Sequence, residues 1–238
     1  MWVLFVAIFL VGLFIFFELK DKPLRSLLIK GFASFGFLLV FASALYEKLD
    51  MGQHVFVVTS HYLDVIRIAP LILLGLIAGL LGDIHLELRS LLDPSKDKKI
   101  IVGGIVFFSV GHIFYLTALL MLGSFSYLSI IIGMIMSVLI FFASKLLKFE
   151  MGIAKYPTLF YTFIMFMLVG QALGYAISVE FSVFSVLILS GAILFSISDL
   201  LLAPIYYQGN KKKIMIALNF ASYYAAQLLI AYSILYII

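Results

Sequence analysis

The sequence predicts an all-α integral membrane protein of about eight transmembrane helices, and three observations carry that prediction. Of the 238 residues, 65% are hydrophobic and only 12% charged, more apolar sequence than a water-soluble chain of this size can hide from solvent. The apolar residues run in continuous stretches near the ~20 residues that a spanning helix needs, without the alternation of a membrane β-barrel. The basic residues fall between these stretches, almost all on one side of the chain's path.

The runs, in order, are about Trp2–Phe17, Leu24–Tyr46, Ala69–Leu92, Ile100–Leu122, Tyr127–Leu147, Pro157–Ile177, Phe181–Tyr206 and Ile214–Ile237. The first has no basic residues before it and no small-residue cleavage site, so it reads as a retained helix and not a signal peptide. Pro23, Pro70, Pro94, Pro157 and Pro204 all fall near run ends, where a missing N–H costs least. The segments Asp93–Lys99 and Gln208–Lys213 read as loops. Lys20, Lys22, Arg25 and Lys30 are assigned to the link after the first run. Arg89, Lys96, Lys98 and Lys99 follow the third, Lys145, Lys148 and Lys155 the fifth, and Lys211, Lys212 and Lys213 the seventh. Only Lys48 and Arg67 lie on the other side, so fourteen of sixteen basic residues share one side. That side is expected in the cytoplasm, which puts both termini outside the cell membrane. The whole chain, 1–238, reads as a single transmembrane domain. Topology accounts for the net charge of +4, so no nucleic-acid partner is expected. The absence of cysteine excludes disulfide and thiol chemistry.

The longest link, about Glu47 to Ile68, is expected on the outer membrane surface. It contains Val55-Phe56-Val57-Val58, and Ser60 is placed to cap an extension of the third helix. Gly75 and Gly79, with Gly82 nearby, form a small-residue stripe of the kind that permits close helix packing.

Within the spans, polar residues are the informative exceptions. Asp83 on the third helix and Asp199 on the seventh lie at comparable depth in the cytoplasmic half. His112 and Tyr115 share a face of the fourth helix. The eighth supplies Asn219, Tyr223, Tyr224 and Gln227, and Ser196 lies one turn from Asp199. Interhelical hydrogen bonding is the competing reading of His112 with Tyr115, and packing that of Asn219 and Gln227, each at about even odds. His85 and Glu87 are near the interface and can face water or headgroups. Two aspartates at matched depth, with amides, His and Tyr on other helices, point further, to a functional cluster. Gly82-Asp83-Ile84-His85-Leu86 and Ser198-Asp199-Leu200-Leu201-Leu202 share the pattern small-Asp-x-x-Leu, each on the third helix of a four-helix half. A parallel 4+4 repeat is therefore an expectation, with the two carboxylates facing each other across a central cleft.

Four stretches resemble the YhhN-like lysoplasmalogenase family of eight-helix membrane proteins. They are Gly82-Asp83-x-x-Leu86 with Arg89-Ser90-Leu91, Gly111-His112-x-x-Tyr115, Phe195-x-x-Ser198-Asp199-x-x-Leu202-Ala203, and Tyr224-x-x-Gln227-x-x-Ile230. The resemblance runs from about residue 70 to the C-terminus. Residues 1–68 carry no signature, and the stretch before Gly82 lacks the serine of the family pattern. The resemblance implies hydrolysis of the vinyl ether bond of lysoplasmalogens, a lipid substrate drawn from the bilayer, to a long-chain aldehyde and a glycerophospho-ethanolamine or -choline.

Vinyl ether hydrolysis begins with protonation at carbon, and water then attacks the oxocarbenium ion. Asp83 and Asp199 are the expected catalytic pair, because adjacent buried carboxyls tend to share one proton. His112 and Tyr115 would orient the pair or the water. Asn219, Tyr224 and Gln227 would bind glycerol or phosphate oxygens, with Ser196 beside Asp199 and Arg89 attracting phosphate. No metal or other cofactor is expected. Zinc hydrolases usually present three protein ligands with His prominent, and Asp83, Asp199 and His112 are the trio that would have to serve. The competing expectations are a proton-coupled transporter of a small molecule or lipid using the same aspartates, and a non-catalytic lipid-binding or scaffold protein.

Overall fold

A backbone in lipid must satisfy its own hydrogen bonds, so each apolar stretch becomes a helix. The computed structural model describes residues 2–20, 23–53 and 60–237. Among them are eight α-helices: α1 Trp2–Glu18, α2 Pro23–Gln53, α3 Ser60–Glu87, α4 Asp97–Leu122, α5 Tyr127–Leu146, α6 Lys155–Ser178, α7 Val183–Tyr207 and α8 Lys213–Ser233. There is no strand among the described residues. Helices α2 to α8 are long and apolar enough to cross a membrane. Helix α1 is equally apolar but has 17 residues, about 26 Å of rise against a hydrocarbon core of ~30 Å. The chain is a multi-pass membrane protein.

Chain neighbours α1–α2, α3–α4, α5–α6 and α7–α8 pack against each other. The two halves are joined by matching cross-contacts. Helix α4 packs on α6 rather than on its chain neighbour α5, and α8 packs on α2 in the same relation. The α2–α3 contact likewise has its counterpart in α6–α7. The principal pairings of the first four helices thus recur four helices later, the arrangement a parallel repeat produces. An aromatic core fills the centre. Phe195 of α7 meets His112 at 4.5 Å and Tyr223 at 5.3 Å between ring centroids, and Tyr224 carries the stack on to Phe14 of α1 at 5.7 Å. The glycine stripe of α3 gives this core room. Tyr115 fills the space over Gly75, Gln227 and Tyr223 that over Gly79, and Phe108 that over Gly82.

Several boundaries depart from the sequence expectation. Helix α3 begins at Ser60, so Pro70 lies inside a helix and not near its start. With α2 ending at Gln53, the helices absorb most of the link expected over 47–68. Val55 to Val58 lie outside the described residues. The segment from Asp93 to Lys99 is largely structured. Asp93 caps a short 3₁₀ turn, Pro94–Lys96, by accepting the Ser95 N–H at 2.8 Å, and α4 follows at once from Asp97. That backbone N–H holds the Asp93 carboxyl below its ordinary range. Asp97 sits in the first turn of α4, where the helix dipole favours a carboxylate, and Arg89 grips it through two nitrogens. Lys30 corrects the topology count. It is not in a link but on α2, 3% exposed, and paired with Glu87 of α3 at 3.1 Å. Glu87 is likewise buried, not turned to water or headgroups.

Candidate functional site

Helix α2 carries Ser26, Lys30 and Ser34 four residues apart, hence on one face. Helix α3 carries Asp83 and Glu87 at the same spacing. The faces meet in register: Ser34 donates to Asp83 Oδ2 at 2.6 Å, Lys30 binds Glu87, and Ser26 donates to Glu18 of α1. Tyr223 of α8 donates to the same Asp83 oxygen at 2.7 Å. Behind it, Gln227 donates from Nε2 to the Tyr223 hydroxyl at 3.2 Å, and Tyr115 donates to Gln227 Oε1 at 3.0 Å. The Tyr224 and Ser34 hydroxyls lie 3.0 Å apart. Because Ser34 gives its one hydrogen to Asp83, Tyr224 is the donor there. Five side chains from three helices therefore direct their hydrogens toward one carboxylate oxygen. Four of the expected site residues, Asp83, Tyr115, Tyr224 and Gln227, meet in this network. Ser34 and Tyr223 complete it.

Asp199 has a different environment. It is half-buried on α7, in the wall of a cavity of about 270 Å³ bounded by α4, α5, α6 and α7. Apart from Asp199, Tyr161, Thr158 and Thr162, the wall is almost wholly apolar, with Phe108, Met165 and Ile140 typical of it. The Tyr161 hydroxyl lies beside the Asp199 carboxylate but outside hydrogen-bond geometry. His112 is in the same condition. Its Nδ1 meets the Phe108 carbonyl at 2.8 Å, while Nε2 is buried without a partner. Facing a carbonyl, Nδ1 carries the hydrogen, which leaves Nε2 an acceptor in the neutral ring. The His112 and Tyr161 rings pack edge to face at 5.4 Å. Tyr161 is one of thirteen tyrosines in the chain, and nothing in its flanking sequence singles it out; only the fold sets it beside Asp199.

The two aspartates are near enough for their charges to interact, but they do not line one hollow. Leu86, one turn beyond Asp83, and Phe108, which covers Gly82, belong to the cavity wall. Asp83 sits one layer behind that wall, drawn to the α2 and α8 side by Ser34 and Tyr223. Ser196 joins neither group, because its hydroxyl donates to the Ala192 carbonyl of its own helix at 2.9 Å. Asn219 ties α8 to α7 through the Ser198 carbonyl at 2.8 Å and the Ser198 hydroxyl at 2.9 Å.

A second cavity of about 450 Å³ adjoins the first, and Leu86, Leu202 and Tyr206 form part of both walls. It is lined by Glu18, Lys30, Glu87, Arg89, Lys211 and Asn219, among others. Arg89 also lies over the Tyr206 ring, 4.0 Å from its centroid. Among the described residues, no three His, Asp or Glu side chains converge as a metal site; Asp83, Asp199 and His112 each face a different neighbour.

No match was found among curated proteins or among solved structures. The YhhN family matches residues 53–234, beginning some way before the first stretch of resemblance and covering most of the network, the cavity aspartate, His112 and Tyr161. On that match, over well more than half of its length, the chain belongs to the YhhN family.

Proposed function

We propose that this YhhN-family membrane protein is a hydrolase that cleaves the vinyl ether bond of lysoplasmalogen-type lipids, with Asp199 as its acid–base group and Asp83 as the charge paired with it from behind the wall. The observation that carries the proposal is the Asp199 carboxyl in the wall of a largely apolar 270 Å³ cavity, next to a charged one. An amphiphile with a reactive bond between tail and headgroup suits that juxtaposition. Helix α5 packs mainly on α6, so the α5 side of the cavity, at Ile140, Ala143 and Leu147, is the side through which an acyl-like chain enters from lipid.

In the reaction, protonated Asp199 gives its proton to the vinyl carbon remote from the ether oxygen. The resulting oxocarbenium ion is balanced by the carboxylate left behind. Water adds to the cationic carbon and loses a proton to that carboxylate. The hemiacetal then collapses, releasing the aldehyde while the glycerol oxygen takes up a proton. Asp199 is the member at the substrate. Asp83, held by Ser34 and Tyr223, supplies fixed negative charge one layer away. The unpaired Tyr161 hydroxyl and His112 Nε2 are the groups available to hold the water.

Purified protein given an alkenyl lysolipid should release fatty aldehyde. Asp199→Asn should lower turnover by about 10²–10⁴-fold, the range of a general acid–base group, with the melting temperature preserved. Asp83→Asn, which keeps an oxygen for Ser34 and Tyr223, should also fall sharply. Near-normal aldehyde release from either variant rejects the pair. No aldehyde from the native protein, together with substrate-dependent proton flux in liposomes, transfers the same residues to transport.

A further inference from the structure

Hydrolysis consumes water, and most of the wall around Asp199 gives water no hold. Apolar hollows stay dry except where polar groups bind a water. On one side the cavity borders α5, whose Ile135, Val138, Leu139 and Phe142 are exposed and face lipid. At the end nearest the link between α5 and α6 it is corked. Leu147 and Phe149 of that link belong to the cavity wall, and Met151 and Ala154 are buried with Ile101 and Tyr207 in a small apolar cluster. The Glu150 N–H binds the Tyr207 carbonyl at 3.0 Å, and the Tyr207 and Thr158 hydroxyls meet at 2.7 Å, so the cork is fastened to α7 and α6.

The remaining neighbour is the charged hollow. Lys30, Glu87 and Asp97 line it together with Ser90 and Lys211, which are exposed at the end of the bundle, so this space meets water. Leu86, Leu202 and Tyr206 stand between the two spaces and form part of both walls. Leu86 follows Asp83 by three residues, and Leu202 follows Asp199 by three. They are the leucines of the repeated small-Asp-x-x-Leu pattern, each on the same helix face as its aspartate. Leu86 is seated in the space over Gly104 of α4, while Leu202 is half-buried.

We propose that the charged hollow supplies water to the Asp199 cavity, and that Leu86 and Leu202 form the septum that meters it. The inference rests on the hydrolase reading for the use to which the water is put; the passage itself stands on the shared wall. Leucine side chains offer a water no hydrogen bond, so water crosses when they part and stays only where Asp199 and Tyr161 can hold it. A metered supply delivers the nucleophile without flooding the cavity, which keeps the electrostatic interactions at Asp199 strong. The repeated pattern then has two parts, an aspartate for charge and a leucine, one turn on, that divides the wet space from the dry one.

The test is hydroxyl-radical footprinting by pulsed X-rays on the full chain in lipid nanodiscs, which oxidises side chains that have water beside them. Tyr206, on the hollow, is the wet reference, and Tyr115, buried in the Asp83 network, is the dry one. Tyr161 should be oxidised well above Tyr115 in the native protein. Leu202→Phe should bring Tyr161 down to the Tyr115 level and leave Tyr206 unchanged. Leu202→Ala, which strips the branched end off the septum, should raise Tyr161 severalfold, and its opposite sign keeps the test decisive if the larger residue fails to fold. Turnover in Leu202→Phe should fall about tenfold or more while a non-cleavable alkyl-ether lysolipid binds within about threefold of native. A native Tyr161 as dry as Tyr115, or one oxidised alike in the native protein and both variants, overturns the passage. A loss that lies in lipid binding and not in turnover overturns the metering role. A dry Tyr161 with intact aldehyde release removes the water route and keeps the reaction. A Tyr161 signal that follows the septum, without aldehyde release, does the reverse.

Discussion

Replacing Lys30 by methionine should destabilise this protein more than any conservative change on its lipid-facing surface. The Lys30 and Glu87 side chains are only 4% and 7% exposed, with nitrogen and oxygen 3.1 Å apart. Lys30→Met retains most of the stem that packs near the Phe14 and Phe220 rings but removes the charge. Glu87 is then a buried carboxylate without a cation, beside Glu18. Breaking one side of a buried pair costs about 3–5 kcal/mol, while replacing both partners by apolar groups of similar size is often close to neutral. Lys30→Met with Glu87→Leu should therefore recover to within about 1–2 kcal/mol of the native protein, an interaction that a double-mutant cycle reads directly. Reversible unfolding in mixed micelles, followed by circular dichroism, supplies the four free energies. If the double variant is as unstable as Lys30→Met alone, the loss comes from packing of the lysine stem and not from charge. If Lys30→Met is harmless, water reaches the pair and the burial argument fails.

Gly75→Ala places a methyl group where the Tyr115 ring lies, so the ring must swing away from Gln227. A loss of about 1–3 kcal/mol is expected, and the same unfolding assay should show it partly relieved by Tyr115→Ala. Tyr223→Phe and Tyr161→Phe should part company. The first deletes a hydroxyl that donates to Asp83 and accepts from Gln227, at a cost of about 1–3 kcal/mol. The second deletes a hydroxyl with no partner, so stability should hold or rise while aldehyde release falls.

The helices are legible in the sequence because the property that makes them helices, continuous apolar sequence in a solvent without hydrogen bonds, is written residue by residue. The buried polar residues are legible as exceptions to it: Asp83, His112, Tyr115, Tyr224 and Gln227 are all buried. Ser34 and Tyr161 do not stand out as site residues, because a hydroxyl in an apolar run is as common in packing as in chemistry, and only its partner on another helix distinguishes the two. Lys30 resembles a loop residue because it is a charge near the end of a run. The signal that could move it is spacing: Ser26, Lys30 and Ser34 share the four-residue step of Asp83 and Glu87, and two polar stripes of equal period read as a seam. Pro70 looks terminal because the polar residues just before it hide the first turns of α3. Ser196 looks functional by its place one turn from Asp199, but a serine hydroxyl inside a helix has its own backbone carbonyl within reach.

The recurrence of helix pairings after four helices puts Asp83 and Asp199 on corresponding helices, and the contrast between them is then informative. Asp83 receives hydrogens from α2 and α8, through Ser34 and Tyr223. The corresponding neighbours of Asp199 are α6 and α4. Helix α6 presents Tyr161, whose hydroxyl is unpaired, and α4 presents His112, whose Nε2 is unpaired. Asp83 holds two direct donors, while the hydroxyl nearest Asp199, that of Tyr161, stops short of a hydrogen bond. Each buried polar atom without a partner costs about 1–3 kcal/mol, and such atoms are kept where something outside the fold completes them. Tyr161 lies beside the aspartate that lines the apolar cavity, and the His112 ring packs on Tyr161. That asymmetry favours the Asp199 side for the reacting molecule and gives Asp83 its complementary part, a charge fixed in position by donors that substrate does not displace.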